Sequence, residues 1–347
     1  MTTTSVASTP AQVDHYRDEY WNELPAVISY LCRLATGDGS LWWMDHLKRK
    51  YASPPRKRAL IVGCGNGWVE RDLFDRGIAE RFDAFDASQA YLDQAEAQRN
   101  GRPIRYALSD FASFRPAGTY DLVVNVAALH HARRLYRIFD VLRQALDDDG
   151  LLVNWEYVGP SRNQYSPAHA ALLRAANESL PVRFRTSHPL VHDIQSFLSG
   201  DPTEAVHSAE IERAFADRFD VLESHPLNGG IAYPILWNNI APFRSADPEA
   251  RAGLDRLLAL DEVLSTAGAV PHLFCYSIGT HRRQSVGARG WVDRWLREPV
   301  RESLAGVTGG LYPSEILAKG HRRVRARAAL SALVRSVRRA RSPEAPS

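Results

Sequence analysis

Three glycines in one short loop, Gly63, Gly65 and Gly67, are the residues whose type and spacing most directly suggest chemistry. They follow an apolar run at 59–62 and precede a segment with helical spacing. Glycine lets the backbone turn tightly and approach a ligand closely, and a helix N-terminus presents free N–H groups. The loop, including Cys64, is therefore predicted to bind a cofactor.

The spacing of these glycines argues against two common ligands. A dinucleotide-binding loop carries its third glycine five residues after the first, where this chain has Trp68. Such a bulky side chain is incompatible with the close helix–strand packing that glycine allows. A phosphate-binding GxxxxGK[ST] loop is absent from the sequence as well. A nicotinamide-dependent enzyme is thus disfavoured.

Acidic residues follow the next two predicted strands. Asp86 ends the second strand, 19 residues after Gly67 and directly before Ala87, where a carboxylate can accept hydrogen bonds from ribose hydroxyls. An alternative interpretation makes Asp86 the N-cap of the following helix. Asp110 and Phe111 follow the third strand. This pair is suited to bind the amino group of adenine and to stack on its ring.

The fourth predicted strand leads into the residues most suited to acid–base chemistry. Its end carries Asn125 and Val126, which are expected to line the cofactor site, and His130 and His131 follow shortly after. Imidazole titrates near neutral pH, so at least one of these histidines is a candidate general base. Glu156, at the end of the fifth strand, is the third catalytic candidate; packing, capping or a structural hydrogen bond is the alternative for each. No convincing metal-ligand spacing occurs, so no metal is predicted.

Short apolar strands that alternate with helices place all these residues at one edge of a parallel sheet. The alternation is typical of βαβ units, and parallel sheets bind ligands at the carboxyl ends of their strands. Strands are predicted at 59–63, 82–86, 104–108, 120–129, 151–159, 219–224 and 272–280, with a turn at 147–150. Helical segments outside this alternation are predicted at 13–35, 40–51, 231–268, 290–304 and 316–341.

The segments VGCGNG, FDAFDAS, ALSDF, YDLVVNVAALHH and LLVNWEYVG resemble, in this order, those of class I S-adenosylmethionine-dependent methyltransferases. The resemblance covers about 59–157 and implies an α/β fold, a Rossmann-like seven-stranded sheet with helical insertions and an N-terminal helical lid. It implies S-adenosyl-L-methionine as cofactor and S-adenosyl-L-homocysteine as product, with the glycine loop at the methionine end. It assigns the ribose to Asp86 and the adenine to Asp110. The chain departs from the family at Ile61, where many members carry an acidic residue.

Two further segments, EYVGPSRNQY and HPLNGGIAYPIL, resemble a subgroup of bacterial methyltransferases of polysaccharide, glycoside and natural-product biosynthesis. That resemblance implies O-methylation of a sugar hydroxyl on a glycan or a glycosylated small molecule. Methyl transfer from a sulfonium is an in-line displacement, and a hydroxyl acceptor also needs a general base. The alternatives are N- or C-methylation of a natural-product intermediate and a non-catalytic cofactor-binding scaffold for a biosynthetic partner.

The acceptor is expected to bind among the insertions and the N-terminal segment. The predicted organisation is a helical lid (1–52), a cofactor-binding core (53–159), a helical insertion (160–218), the end of the core sheet with a substrate cap (219–281) and a basic helical extension (282–347). Tyr20, Trp21, Tyr157 and Tyr233 are the predicted acceptor contacts, because aromatic rings stack on sugars and flat rings. Plain core packing is the alternative for the aromatic residues of the lid.

Charge is distributed unevenly along the 347 residues. Residues 281–347 hold 15 Lys/Arg and 5 Asp/Glu, a net charge of +10, whereas the remainder holds 28 and 35, a net charge of −7. The basic stretch 319–341 is interpreted as a solvated helix, a peripheral contact to an anionic membrane or a nucleic-acid contact. Nucleic acid is the least supported partner, because no aromatic residues interleave with the arginines. Three widely spaced cysteines and no long apolar run predict a cytoplasmic protein, peripheral to the inner membrane surface if that stretch binds lipid.

Overall fold

The computed structural model of the protein describes residues 20–282, which are built around one seven-stranded sheet. The strands are β1 (Ala59–Val62), β2 (Phe82–Asp86), β3 (Ile104–Leu108), β4 (Tyr120–Val126), β5 (Leu146–Tyr157), β6 (Phe219–Pro226) and β7 (Phe274–His281). Their order across the sheet is β3-β2-β1-β4-β5-β7-β6. β7 runs antiparallel to β5 and β6 on either side of it, and the other neighbouring pairs are parallel. The predicted Rossmann-like sheet of the class I methyltransferase type is confirmed.

Helices flank this sheet and join its strands. Within the described residues the α-helices are α1 (Pro25–Thr36), α2 (Trp43–Tyr51), α3 (Trp68–Asp75), α4 (Gln89–Ala97), α5 (Leu135–Ala145), α6 (Pro167–Glu178), α7 (Ile194–Gly200), α8 (Ile211–Arg218), α9 (Ala232–Leu236) and α10 (Pro248–Thr266). No helix in residues 20–282 is both long enough and apolar enough to cross a bilayer. The helices predicted at 290–304 and 316–341, and the membrane contact considered for 319–341, lie outside the described residues.

The central strands are buried on both faces because helices cover the sheet on both sides. β1 reads Ala-Leu-Ile-Val, and each of its residues is at most 1% exposed, as expected for a strand inside a parallel sheet. Successive side chains point to opposite faces. Leu60 and Val62 share a buried cluster with α5 and α8, whereas Ala59 and Ile61 share one with α1, α2 and α10. This two-sided packing fixes the strand ends that carry the candidate site.

Two local predictions differ from the structure. The sequence Asp-Asp-Asp-Gly at 147–150 favours a turn, yet these residues lie inside β5, because Tyr120 of β4 pairs with Leu146 and so starts the strand early. The helix predicted over 13–35 begins, within the described residues, only at Pro25. Proline is suited to the first helical position because its missing N–H needs no partner there.

The lid region packs on the sheet through two tryptophans. The ring of Trp43, on α2, is 1% exposed and lies 6.0 Å from those of both Trp155 and Tyr276. The neighbouring Trp42 also faces Trp155, with a centroid distance of 5.9 Å. These two lid residues therefore pack against the core, and α2 is anchored on β5 and β7.

A carboxylate on the edge strand β6 gives α2 a second anchor. Glu223 accepts hydrogen bonds from Lys50 Nζ at 2.5 Å and Tyr51 Oη at 2.6 Å. Ring nitrogens of His46 and His225 lie 3.0 and 3.1 Å from the same carboxylate. Burial raises the pKa of Glu223, but these four partners outweigh it and lower the pKa to about 2.

Glu223→Gln is expected to lower the free energy of unfolding by about 2 kcal/mol at pH 7, since it weakens several hydrogen bonds to a charged group. The folded-state pKa lies below the ordinary value, so the stabilisation is fully present above about pH 4.5 and is lost as the pH falls toward 2. Urea unfolding at pH 7 and pH 3 should show a difference between wild type and variant that shrinks at the lower pH. The control is Glu178→Gln, at an exposed residue of α6, and an undiminished Glu223→Gln effect at pH 3 would contradict the prediction.

Candidate active site

The glycine loop between β1 and α3 has a backbone conformation that glycine adopts most easily. Gly63, Gly65 and Gly67 have φ angles of +59°, +54° and +79°. A Cβ on Gly63 would lie 2.5 Å from the Cβ of Ala128, which lies two residues after the partly buried Val126 at the end of β4. The first glycine therefore allows the loop after β4 to pack directly on the glycine loop.

Asp86 ties the glycine loop to β2. Its carboxylate accepts hydrogen bonds from the N–H groups of Gly65 and Ser88, both at 2.8 Å. Burial raises the pKa of Asp86, and these hydrogen bonds oppose that shift. The N-cap of α4 is Ser88, whose Oγ accepts from the N–H of Tyr91, so the N-cap interpretation of Asp86 is wrong. The carboxylate stays at the end of β2, next to the exposed Ala87.

Asp110 and Phe111 extend the same sheet edge beyond β3. Asp110 is exposed, and hydrogen bonds from Ser113 hold the pKa of its carboxyl below the ordinary range. Phe111 packs edge-on against Phe85, with ring centroids 6.0 Å apart. Its Cζ lies 3.8 Å from the place that a Cβ on Gly63 would take. The acid and the ring that follow β3 are thus neighbours of the first glycine.

A buried carboxyl group close to Cys64 of the glycine loop is a feature that sequence reasoning missed. Ile61, where many members of the resembled family carry an acid, is 1% exposed and belongs to the core. Glu70 of α3 is fully buried, and burial raises its pKa to about 7. Burial and the charge of Glu70 also raise the pKa of the Cys64 thiol. Cys64 therefore serves the loop through its backbone and is not an activated thiolate.

The ends of β4 and β5 form a buried hydrogen-bond network around Glu156. Its carboxylate accepts from the side-chain amide of Asn125 at 2.9 Å and from the N–H groups of Leu129 and Tyr157 at 2.8 and 2.6 Å. Nδ1 of His130 lies 2.6 Å from the same carboxylate. Asn125 and Glu156 are both fully buried, so the side chain of Asn125 supports Glu156 rather than projecting from the sheet edge.

The two adjacent histidines differ in their affinity for a proton. Their ring centroids are 4.2 Å apart. Burial lowers the pKa of His130, but the charges of Glu156 and Glu204 outweigh burial and raise it well above its ordinary value. Burial and the charge of His130 lower the pKa of His131. His130 is therefore the stronger proton acceptor of the pair.

Glu204, from the loop after α7, is a residue of this cluster that sequence reasoning missed. Its Oε2 lies 3.5 Å from Nε2 of His130 and 3.6 Å from Nε2 of His131. The N–H of Val206 donates to the carbonyl of His130 and so ties this loop to the turn after β4. Glu204 belongs to no recognisable motif, and no sequence spacing connects it with the histidines.

Three of the predicted acceptor contacts come together beside the histidines. The ring of Tyr157 lies 6.3 Å from that of His130 and 6.5 Å from that of Tyr233. Trp21 meets Tyr233 edge-on at 5.7 Å. Burial raises the pKa of Tyr233 well above its ordinary value, and the fourth predicted contact, the partly buried Tyr20, is close enough to add to that shift. An aromatic cluster of Trp21, Tyr157 and Tyr233 therefore lies next to the two histidines.

Residues 60–154 match a family model that describes a methyltransferase domain. This range runs from β1 into β5 and contains the glycine loop, Asp86, Asp110 and the histidine pair. This part of the chain is therefore similar to a methyltransferase domain, and the sheet has the topology of the class I methyltransferase fold.

Among curated proteins, the chain is similar to the malonyl-[acyl-carrier protein] O-methyltransferase of Bacillus cereus, with 24% identity over 153 residues, 42% of this chain and 56% of that protein. It is also similar to the polyketide synthase ThaQ of Burkholderia thailandensis, with 26% identity over 168 residues, 46% of this chain and 8% of that protein. The chain thus spans about half the length of the first relative. Among solved structures, StiE O-MT residues 942–1257 aligns at a TM-score of 0.41 and 13% identity, over 72% of this chain and 76% of that one.

Proposed function

We propose that the methyltransferase domain at 60–154 makes this chain an S-adenosyl-L-methionine-dependent enzyme that methylates a hydroxyl group. The observation that carries the proposal is the buried pair formed by His130 and Glu156, 2.6 Å apart at the carboxyl ends of β4 and β5. The pair adjoins the glycine loop, because Ala128, two residues before His130, packs against Gly63.

The residues at this sheet edge fit the cofactor by their chemistry. Asp86 offers carboxylate oxygens to the ribose hydroxyls next to the glycine loop. The carboxylate of the exposed Asp110 can accept a hydrogen bond from the amino group of adenine, and the adjacent ring of Phe111 can stack on the base. When bound, S-adenosyl-L-methionine supplies an electrophilic methyl group and is released as S-adenosyl-L-homocysteine.

His130 is proposed to remove the proton of the acceptor hydroxyl. Glu156 bonds to Nδ1, so it fixes the ring and keeps Nε2 for proton uptake. The proton passes from the hydroxyl oxygen to Nε2 of the neutral His130 ring, and the carboxylate of Glu156 stabilises the resulting imidazolium. His131, whose pKa is lowered, is proposed as a neutral neighbour that contacts the acceptor.

The acceptor is proposed to be a sugar hydroxyl of a glycan or a glycosylated small molecule. The support is the aromatic cluster of Trp21, Tyr157 and Tyr233 next to His130, since aromatic rings can pack on sugar faces. The lid, the insertion at 160–218 and the cap within 219–281 are proposed to cover this acceptor.

The similarity to malonyl-[acyl-carrier protein] O-methyltransferases favours a second candidate, an acyl group carried by an acyl-carrier protein. N- or C-methylation of a natural-product intermediate is less well supported, because such acceptors depend less on a buried histidine–carboxylate pair. Incubation with labelled S-adenosyl-L-methionine and both acceptor classes, followed by mass spectrometry and NMR of the products, would decide among these acceptors. Methylation of nitrogen or carbon alone would contradict the O-transfer proposal.

Asp86→Ala is expected to weaken binding of S-adenosyl-L-methionine and S-adenosyl-L-homocysteine at least tenfold, about 1.4 kcal/mol. The variant loses the carboxylate proposed to accept hydrogen bonds from the ribose hydroxyls. It also loses the hydrogen bond that positions Gly65. Isothermal titration calorimetry measures both affinities, and Asp93→Ala, at an exposed carboxylate of α4, is the control. Equal affinities for wild type and Asp86→Ala would remove Asp86 from the cofactor site, and no binding to the wild type would contradict the proposed cofactor.

A further inference from the structure

Three side chains at the end of β4 converge in the way that metal ligands do. A ring nitrogen of His130, a ring nitrogen of His131 and a carboxylate oxygen of Glu204 lie within 4.8 Å of one another. The distances from Glu204 Oε2 to the two nitrogens are 3.5 and 3.6 Å. Ligands about 2.05 Å from a tetrahedral zinc ion are about 3.3 Å apart. The separations from Glu204 to both histidines are therefore close to those of a zinc site.

Nδ1 of each histidine ring has a polar partner, and Nε2 of each ring lies near Glu204. Nδ1 of His130 lies 2.6 Å from Glu156, and Nδ1 of His131 lies 3.1 Å from Thr203 Oγ1. The carboxylate of Asp201 is 3.5 Å from the same Nδ1 of His131. Carboxylate and hydroxyl partners of this kind fix the tautomer of a metal-bound histidine and make the ligating nitrogen more basic.

The cluster is accessible on one side. The side chain of His130 is 9% exposed, whereas those of His131 and Glu204 are 32% and 27% exposed. An ion can therefore enter, and three protein ligands leave a fourth position for water or another oxygen ligand. Two imidazoles with one carboxylate favour Zn²⁺ over Mg²⁺, which prefers oxygen ligands alone.

We infer that His130, His131 and Glu204 form a binding site for one zinc ion, and that zinc in this site inhibits methyl transfer. The inhibition rests on the proposed function. Zinc binds through the Nε2 lone pair of His130, which is the lone pair proposed to take the acceptor proton. The zinc-loaded protein then has no free base at this position.

Zinc binding is tested first, without any methyl transfer. Metal-free full-length protein is titrated with Zn²⁺ by calorimetry, and with Co²⁺ while visible absorption is recorded. The wild type is expected to bind one equivalent of zinc with a Kd of about 1 µM or tighter. Glu204→Gln should weaken binding at least about tenfold, and Glu178→Gln, the exposed control on α6, should leave it unchanged. Absence of binding, or equal binding to Glu204→Gln, would overturn the site.

Inhibition is tested separately by assaying methyl transfer with a chelator and at increasing free zinc. Wild-type activity should fall at least about tenfold at zinc concentrations that fill the site, and Glu204→Gln should require at least about tenfold more zinc for the same fractional loss. Stimulation by zinc would overturn the inhibitory role. Calorimetry with S-adenosyl-L-homocysteine on the metal-free protein keeps the two proposals apart. Absence of S-adenosyl-L-homocysteine binding counts against the proposed function, whereas absence of zinc binding alone counts against this inference.

Discussion

His130→Ala is expected to lower kcat for methyl transfer about 100- to 10,000-fold, the usual range for loss of a general base. The affinity for S-adenosyl-L-homocysteine should change less than about threefold, because no proposed cofactor contact is removed. The variant opens space beside Glu156, whose carboxylate keeps its hydrogen bonds from Asn125, Leu129 and Tyr157. Imidazole added to the chelator-treated assay should therefore restore part of the activity of this variant.

Rescue by imidazole separates a chemical role of His130 from a structural one. A thermal melt of the variant shows whether the fold survives, and His188→Ala, at an exposed histidine, is the matched control and should keep full activity. A loss of activity without rescue, in a protein that binds the cofactor product normally, would favour a positioning role. Full activity of His130→Ala would remove the general base from the proposed mechanism.

Asp261→Ala is expected to lower the free energy of unfolding by about 3–5 kcal/mol, because a buried hydrogen-bond network loses its central acceptor. Asp261 on α10 is fully buried and accepts from the N–H groups of Gly229, Ile231 and Ala232, at 2.8, 2.6 and 3.1 Å. It also accepts from the hydroxyl of Tyr30 on α1, at 2.9 Å. Its removal leaves four buried donors without their acceptor, and each costs about 1–3 kcal/mol when unsatisfied.

Urea unfolding with a common m-value measures this loss. Asp255→Ala, at an exposed residue of the same helix, should change stability by less than about 0.5 kcal/mol. Because the loop at 228–232 leads into Tyr233, we also expect Asp261→Ala to weaken acceptor binding more than cofactor binding. A change in stability below about 1 kcal/mol would show that the loop finds other acceptors.

The parts of the site that follow from local pattern could be predicted. The positions of Gly63, Gly65 and Gly67 after an apolar run predicted a strand, a tight turn and a helix, and the structure has β1, the loop and α3 there. The alternation of strands and helices predicted where Asp86 and Asp110 lie, because parallel strands end at one edge. The prediction of a turn at 147–150 was wrong, because pairing of Leu146 with Tyr120 extends β5 through these residues despite their turn preference.

The contacts between distant segments could not be predicted, because packing sets them and no periodic pattern records them. The sequence by itself determined the class of sheet, the glycine loop, and the acids, histidines and Glu156 that follow the strands. The tertiary structure alone decided that Asn125 supports Glu156, that His130 rather than His131 bonds to this carboxylate, and that Glu204 meets both rings. The positions of strands and helices along the chain follow from local propensity and hydrophobic pattern, whereas such meetings depend on how insertions fold back over the sheet.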